Sequence, residues 1–117
     1  MNQENKLLYE DDIAIMEKQR IKVDDEYKSL VENLNSVQMV SYQIVIKEFV
    51  TLAVSHLYKK MMSSTISLPQ YNLVNYANAV DNLLISINQC IESEDRLTLA
   101  KYHEQINKLL DKFIYLH

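Results

Sequence analysis

Glycine is absent from the 117 residues and proline occurs once, at Pro69. Without glycine no residue enters left-handed backbone conformations freely, and the tight turns of β-hairpins become hard to build. The composition suits long helices joined by short loops. The length is that of one domain, able to bury roughly two thirds of the surface its unfolded form exposes. A single core over residues 1–117 is expected.

Hydrophobic periodicity divides the chain into four segments. Ile13, Met16, Val23, Tyr27, Leu30 and Leu34 follow a three-four alternation, the seam of a helix over about 11–34, with Arg20 at the one charged position of the stripe. Glu10, Asp11 and Asp12 oppose the positive end of its dipole. Residues 1–8 read as a flexible arm, which Leu7, Leu8 and Tyr9 could staple to the body. The pattern breaks at Asn33-Leu34-Asn35-Ser36, where an Asn can take the left-handed conformation and Asn35 or Ser36 can cap the next helix.

The second helix, about 36–62, carries Ile46, Phe49, Val50, Ala53, Leu57 and Met61 on one face and Val37, Val40, Ile44, Val45 and Leu52 elsewhere. Its length and apolarity approach those of a membrane span, but Lys47 and Glu48 would sit at the bilayer midplane at a cost of several kcal/mol. A deeply buried helix of a soluble protein is expected instead. Ser63 to Ser67 reads as a loop, and Ser67-Leu68-Pro69-Gln70 supplies a cap, a first-turn proline and a Gln three positions after the Ser. The third helix places Leu73, Ala77, Val80, Leu84, Ile87 and Ile91 inward, and Ser93 can cap a fourth that packs Leu99, Tyr102, Ile106, Leu109, Phe113 and Leu116. The expected fold is all-α, an antiparallel up-down four-helix bundle with short loops.

The charges are unevenly placed. Of 12 basic and 16 acidic residues, only Lys47, Glu48, Lys59, Lys60 and Asp81 fall between Asn33 and Ile91. A bundle that buries one stripe of each helix should leave a charged face on every helix. The second and third lack one. Tyr71, Asn75, Asn78, Asn82, Ser86 and Gln89 form an uncharged polar stripe on the third helix, and Tyr42, Gln43, Thr51 and Ser55 add to it from the second. Interface cores are depleted of charge because a desolvated charge is costly, whereas an amide or phenol can be paired. Tyr42, Tyr71, Asn75, Asn78, Asn82 and Gln89 are therefore the expected partner-binding residues, with Phe49 and Leu57 as core supports. The partner is a second copy of the chain, a different protein, or both.

Other chemistry finds little footing. A net charge of −4 and no basic cluster beyond Lys59-Lys60 argue against nucleic acid and anionic membranes as partners. A carboxylate-bridged metal site in a helical bundle needs Glu three residues before His, and neither His56 nor His103 has one. Zinc is no better served by one cysteine and three scattered histidines. No metal or cofactor is expected. His56 reads as a partly buried histidine bonded to a neighbour and Cys90 as a small core residue. The single cysteine and the lack of a basic-then-apolar start point to the cytoplasm. The abundance of Asn, Ile, Lys and Tyr, all specified by AT-rich codons, points to a low-GC genome such as that of some bacteria or phages.

Arg96 and His103 are separated by the six residues LTLAKY. The spacing resembles the R-x4-6-H signature of HEPN-domain ribonucleases, small helical bundles in which the pair, usually assembled at a dimer interface, cleaves RNA. The resemblance implies that Arg96 holds the scissile phosphate while His103 moves a proton. It covers these two residues and the helical character, and Leu97 stands where that family commonly has a polar residue. The plainer expectation pairs Arg96 with a first-turn acid and leaves His103 at the bundle edge. The leading expectation is a small, acidic, non-enzymatic interaction protein of the kind that includes secretion chaperones, immunity proteins, antitoxins and phage-encoded inhibitors.

Overall fold

The computed structural model describes residues 5, 6, 8–63 and 70–116. Four helices carry most of these residues: α1 (Glu10–Glu32), α2 (Ser36–Met62), α3 (Gln70–Ser93) and α4 (Arg96–Lys112). They form a helical bundle of 46 × 25 × 25 Å. At 1.5 Å per residue α2 is about 40 Å long, so it runs nearly the full length of the molecule.

Local chemistry explains the helix limits. The acidic first turn of α1 stands in for a side-chain cap, since Tyr9 provides none. Asn33 ends α1 at φ −131°, outside the left-handed region, so the expected left-handed Asn is not how this turn is made. Asn35 caps α2 by accepting from the Gln38 backbone N–H at 2.9 Å. The Ser63 hydroxyl donates to the Lys60 carbonyl at 2.7 Å. Residues 64–69, with the rest of the expected loop and the Ser67-Leu68-Pro69 start, lie outside the described residues.

The junction between α3 and α4 differs from expectation. Ser93 is the last residue of α3, and its hydroxyl donates back to the carbonyls of Gln89 and Cys90, each at 3.4 Å, instead of capping α4. Asp95 caps α4, accepting from the Thr98 backbone N–H at 3.0 Å and from its hydroxyl at 2.6 Å. Between them Glu94 takes a φ of 53°. The Asp95 N–H reaches the Cys90 carbonyl and the Glu94 N–H reaches that of Ile91, the paired bonds of a Schellman turn. A glycine-free chain puts a glutamate where that turn favours glycine, and the cap moves two residues downstream.

The fourth helix stops at Lys112. Phe113 and Ile114 turn, and β2 (Tyr115–Leu116) pairs antiparallel with β1 (Asn5–Lys6), Asn5 opposite Leu116 and Lys6 opposite Tyr115. The expected helical run through Leu116 is thus corrected. Leu8 is buried, and the Tyr9 hydroxyl lies 2.7 Å from the Ser63 hydroxyl, so part of the expected staple is present.

The core takes Ile13, Met16, Val23 and Leu30 from α1, Ile46, Phe49, Ala53 and Leu57 from α2, and Leu73, Val80, Leu84 and Ile87 from α3. On α4 the buried stripe is Leu99, His103, Ile106 and Leu110, with Phe113 beyond, while Tyr102 and Leu109 are only partly buried. Phe113 meets Phe49 edge-on at 6.5 Å and Tyr76 at 5.8 Å, tying three helices together. Between α1 and α2, Tyr9 meets Ser63, Asp12 meets His56 at 3.1 Å and Gln19 donates to the Val45 carbonyl at 2.9 Å. Between α1 and α4, Arg20 bonds Asp111, Asp24 faces His103 and Arg96 reaches the Val31 carbonyl. In both series the partner's number falls as that on α1 rises.

The α2 helix is long and apolar enough to cross a membrane by length and composition, with a mean hydropathy of 1.3 over its best window. Only 28% of that window is buried, so the expectation of a deeply buried helix is overturned. One stripe of α2 is core, and much of the remainder faces outward.

Candidate functional site

The outward side of α2 follows from its periodicity. Burying Met39, Tyr42, Ile46, Phe49, Ala53 and Leu57 leaves Val37, Val40, Ile44, Thr51, Ser55 and Tyr58 exposed at three- and four-residue spacing. Val37 is 73% exposed, and Lys47 and Glu48 are the only charges along this ridge before Lys59. On α3, Asn75, Asn78, Asn82 and Gln89 are all exposed on one side, interleaved with Val74 and Ile85, the latter 62% exposed. Asp81 is the only charge of α3 before Glu92. The structure thus places four of the expected partner-binding residues together on a charge-poor surface. The side chain of Tyr71 lies outside the described residues.

Tyr42 does not belong to that surface. It is fully buried, and its hydroxyl lies 2.7 Å from Nδ1 of His103. Burial pushes the phenol pKa far up, with Tyr27 and Asp24 acting in the same direction, so Tyr42 keeps its proton. Its O–H donates to Nδ1 when the imidazole carries its hydrogen on Nε2, and that N–H faces the acceptor Asp24 Oδ1 at 3.6 Å. The Tyr27 ring stacks on His103 with centroids 3.7 Å apart and planes within 1°. Burial lowers the His103 pKa, Arg20 adds to the lowering, and Asp24 opposes it. The result is a neutral imidazole clamped between α1, α2 and α4. Phe49 and Leu57 are buried, as core supports must be.

Two shallow grooves flank the ridge of α2. One, of about 570 Å³, lies toward α1 and is lined by Lys22, Ile44, Glu48 and Leu52, with Lys47 and Thr51 at the ridge. The other, of about 310 Å³, lies toward α3 and is lined by Val50, Ala77, Val80 and Asp81, again with Lys47 and Thr51. Residues 47–51 are therefore a crest between two depressions. Among the described residues neither Lys47 nor Glu48 makes an ion pair; Glu48 accepts from the Gln19 amide at 3.4 Å.

Arg96 and His103 do not form a joint site. The Arg96 Nε–H donates to the Val31 carbonyl at 2.8 Å, closing the C-terminal end of α1 rather than pairing with a first-turn acid. His103 sits inside the bundle, not at its edge, and both ring nitrogens face protein groups. His56 is partly buried beside Asp12. Cys90 is buried, and burial raises its thiol pKa, with Asp95 adding to the effect. Among the described residues no three His, Cys, Asp or Glu gather as a metal site.

The charge-poor surface and the buried histidine are the features that sequence reasoning could approach only in part. Helical spacing sets Val37, Val40 and Ile44 off the core face, but exposed Ile85 is hidden by its type, because an isolated β-branched residue in a helix reads as core. Comparisons with family models, curated proteins and solved structures find no match for the chain.

Proposed function

We propose that the protein is a non-enzymatic, cytoplasmic interaction module, an antiparallel up-down-up-down bundle that binds another protein chain through the outward faces of α2 and α3. The descending contacts of α1 with α2 and with α4 support the arrangement of the helices. One observation carries the function: Val37, Val40, Ile44, Val74 and Ile85 are exposed beside Asn75, Asn78, Asn82 and Gln89, on the two helices that hold almost no charge. Apolar and amide groups with few charges among them are the makeup of an interface core. In kind the module resembles the small helical chaperones, immunity proteins, antitoxins and inhibitors. The enclosed His103 and the Arg96 bond to Val31 give no support to the ribonuclease reading.

Light scattering after gel filtration, together with capture of bound chains on the immobilised protein, tests the face. Ile85→Lys and Asn78→Lys should abolish association with any chain the wild type binds, while leaving helicity and Tm unchanged. Ile21→Lys, at an exposed position of α1, should leave association intact. Association that survives both α3 substitutions overturns the proposal.

A further inference from the structure

Resting on the reading of α2 and α3 as a binding face, we infer that the α2 ridge is a two-fold contact with a second copy of the chain, in which Lys47 of each copy pairs with Glu48 of the other.

An isologous contact requires one patch to be complementary to itself, so that a residue i meeting j implies j meeting i. The only charges on the ridge before Lys59 are one cation and one anion at adjacent positions, near the middle of α2. When two such helices run in opposite directions about a two-fold axis, Lys47 of one copy faces Glu48 of the other, and the pair occurs twice. The same register sets Ile44 against Thr51, Val40 against Ser55 and Val37 against Tyr58. Every one of these eight positions is exposed in the single chain, and beyond the central pair none is charged. Two copies running in the same direction would instead bring Lys47 toward Lys47 and Glu48 toward Glu48, which is repulsive.

Shape and size agree. The crest at Lys47 and Thr51 stands between two grooves, so the ridge of one helix has depressions beside the ridge of the other to enter. A face about 40 Å long and on the order of 20 Å across two adjacent helices offers about 800 Å² per copy, the size of a standard specific interface. Asn75, Asn78, Asn82 and Gln89 on α3 continue this contact as part of the same face, with amides that can be paired when desolvated. Lys47 and Glu48, without ion pairs among the described residues of one chain, gain them from the second copy.

The test is a charge exchange on the full chain, read as solution mass from about 1 to about 300 µM, the range in which an interface of ordinary affinity assembles. Wild type is expected to be dimeric. Lys47→Glu and Glu48→Lys should each weaken the dimer by at least about tenfold, because each places like charges on the axis. An equimolar mixture of the two variants should assemble, since one now offers two anions and the other two cations, and the double variant Lys47→Glu/Glu48→Lys should dimerise like wild type. A wild type that stays monomeric throughout overturns the second copy. So does a dimer unaffected by the single exchanges, or one lost in both and not recovered in the mixture while helicity and Tm are unchanged. The broader reading falls separately: it is lost when Ile85→Lys and Asn78→Lys leave every observed association intact, and it stands when they release a different chain from a monomeric wild type.

Discussion

The hydroxyl of Tyr42 lies 2.7 Å from Nδ1 of His103, two polar groups joined inside the bundle across 61 residues of sequence. Each satisfies the other where neither could remain unpaired. Phe at position 42 would keep the ring and leave Nδ1 without its donor, so Tyr42→Phe is expected to lower stability by about 1–3 kcal/mol. Urea unfolding at neutral pH measures it.

His103 also sets a pH dependence. Its pKa in the fold lies below the ordinary 6.5, chiefly through burial, with Arg20 acting the same way and Asp24 against it. The unfolded chain therefore takes up this proton first as pH falls. The contribution of neutral His103 is complete above pH 6.5 and is lost as pH falls through 6.5 toward the folded-state value. Urea midpoints at about pH 7.5, 6.5 and 5.5 should decline in wild type and decline less in His103→Gln. Equal slopes would show that His103 does not titrate differently in the two states.

The turn between α3 and α4 makes opposite predictions at neighbouring positions. Glu94 holds a left-handed conformation at φ 53°, which costs a residue with a Cβ about 1 kcal/mol. Glu94→Gly should raise stability by about 0.5–1 kcal/mol despite the greater freedom of glycine in the unfolded chain. Asp95→Ala removes the cap of α4, and a loss of about 1 kcal/mol is expected. Thermal unfolding of the two variants should move in opposite directions.

Arg20 and Asp111 join α1 to α4 as a part-buried ion pair. Removing Asp111 leaves the more buried Arg20 charge unpaired, whereas an apolar residue of similar volume at position 20 completes the stripe and leaves a carboxylate that water reaches. Asp111→Ala should therefore cost more, about 1–2 kcal/mol, than Arg20→Met, which should stay within about 0.5 kcal/mol of wild type. The reverse order would mean that the Arg20 bonds dominate over its desolvation.

The limits of α2, the cap at Asn35 and most of the core of α1 and α3 could be read from periodicity and capping chemistry, because both act over a few residues. Tyr42 and His103 could not. A phenol and an imidazole read as surface groups until their partner is known, and here the partner lies on another helix. The same blindness shifted the stripe of α4 toward Tyr102 and Leu109. The turn at Glu94 escaped because a glutamate carries no signal for a left-handed conformation. The pairing of Tyr115–Leu116 with Asn5–Lys6 is too short to show an alternation. On the interface side, the shortage of charge was legible in α2 and α3, and the exposure of Asn75, Asn78, Asn82 and Gln89 followed from helical spacing. Which apolar residues of α2 faced outward depended on the packing of its neighbours.

The two-residue ladder closes a loop that runs from Asn5 to Leu116 through all four helices. Closing a loop of that length costs entropy that grows as the logarithm of the number of residues enclosed. Two ladder residues cannot offset it before the helices have docked, so this clasp forms at the end of folding and is the first to open. A short peptide bridge across it would turn the clasp into covalent chain, and the same fold could then begin elsewhere, for instance in the turn at Asn33 to Asn35, with its helices arriving in a different order.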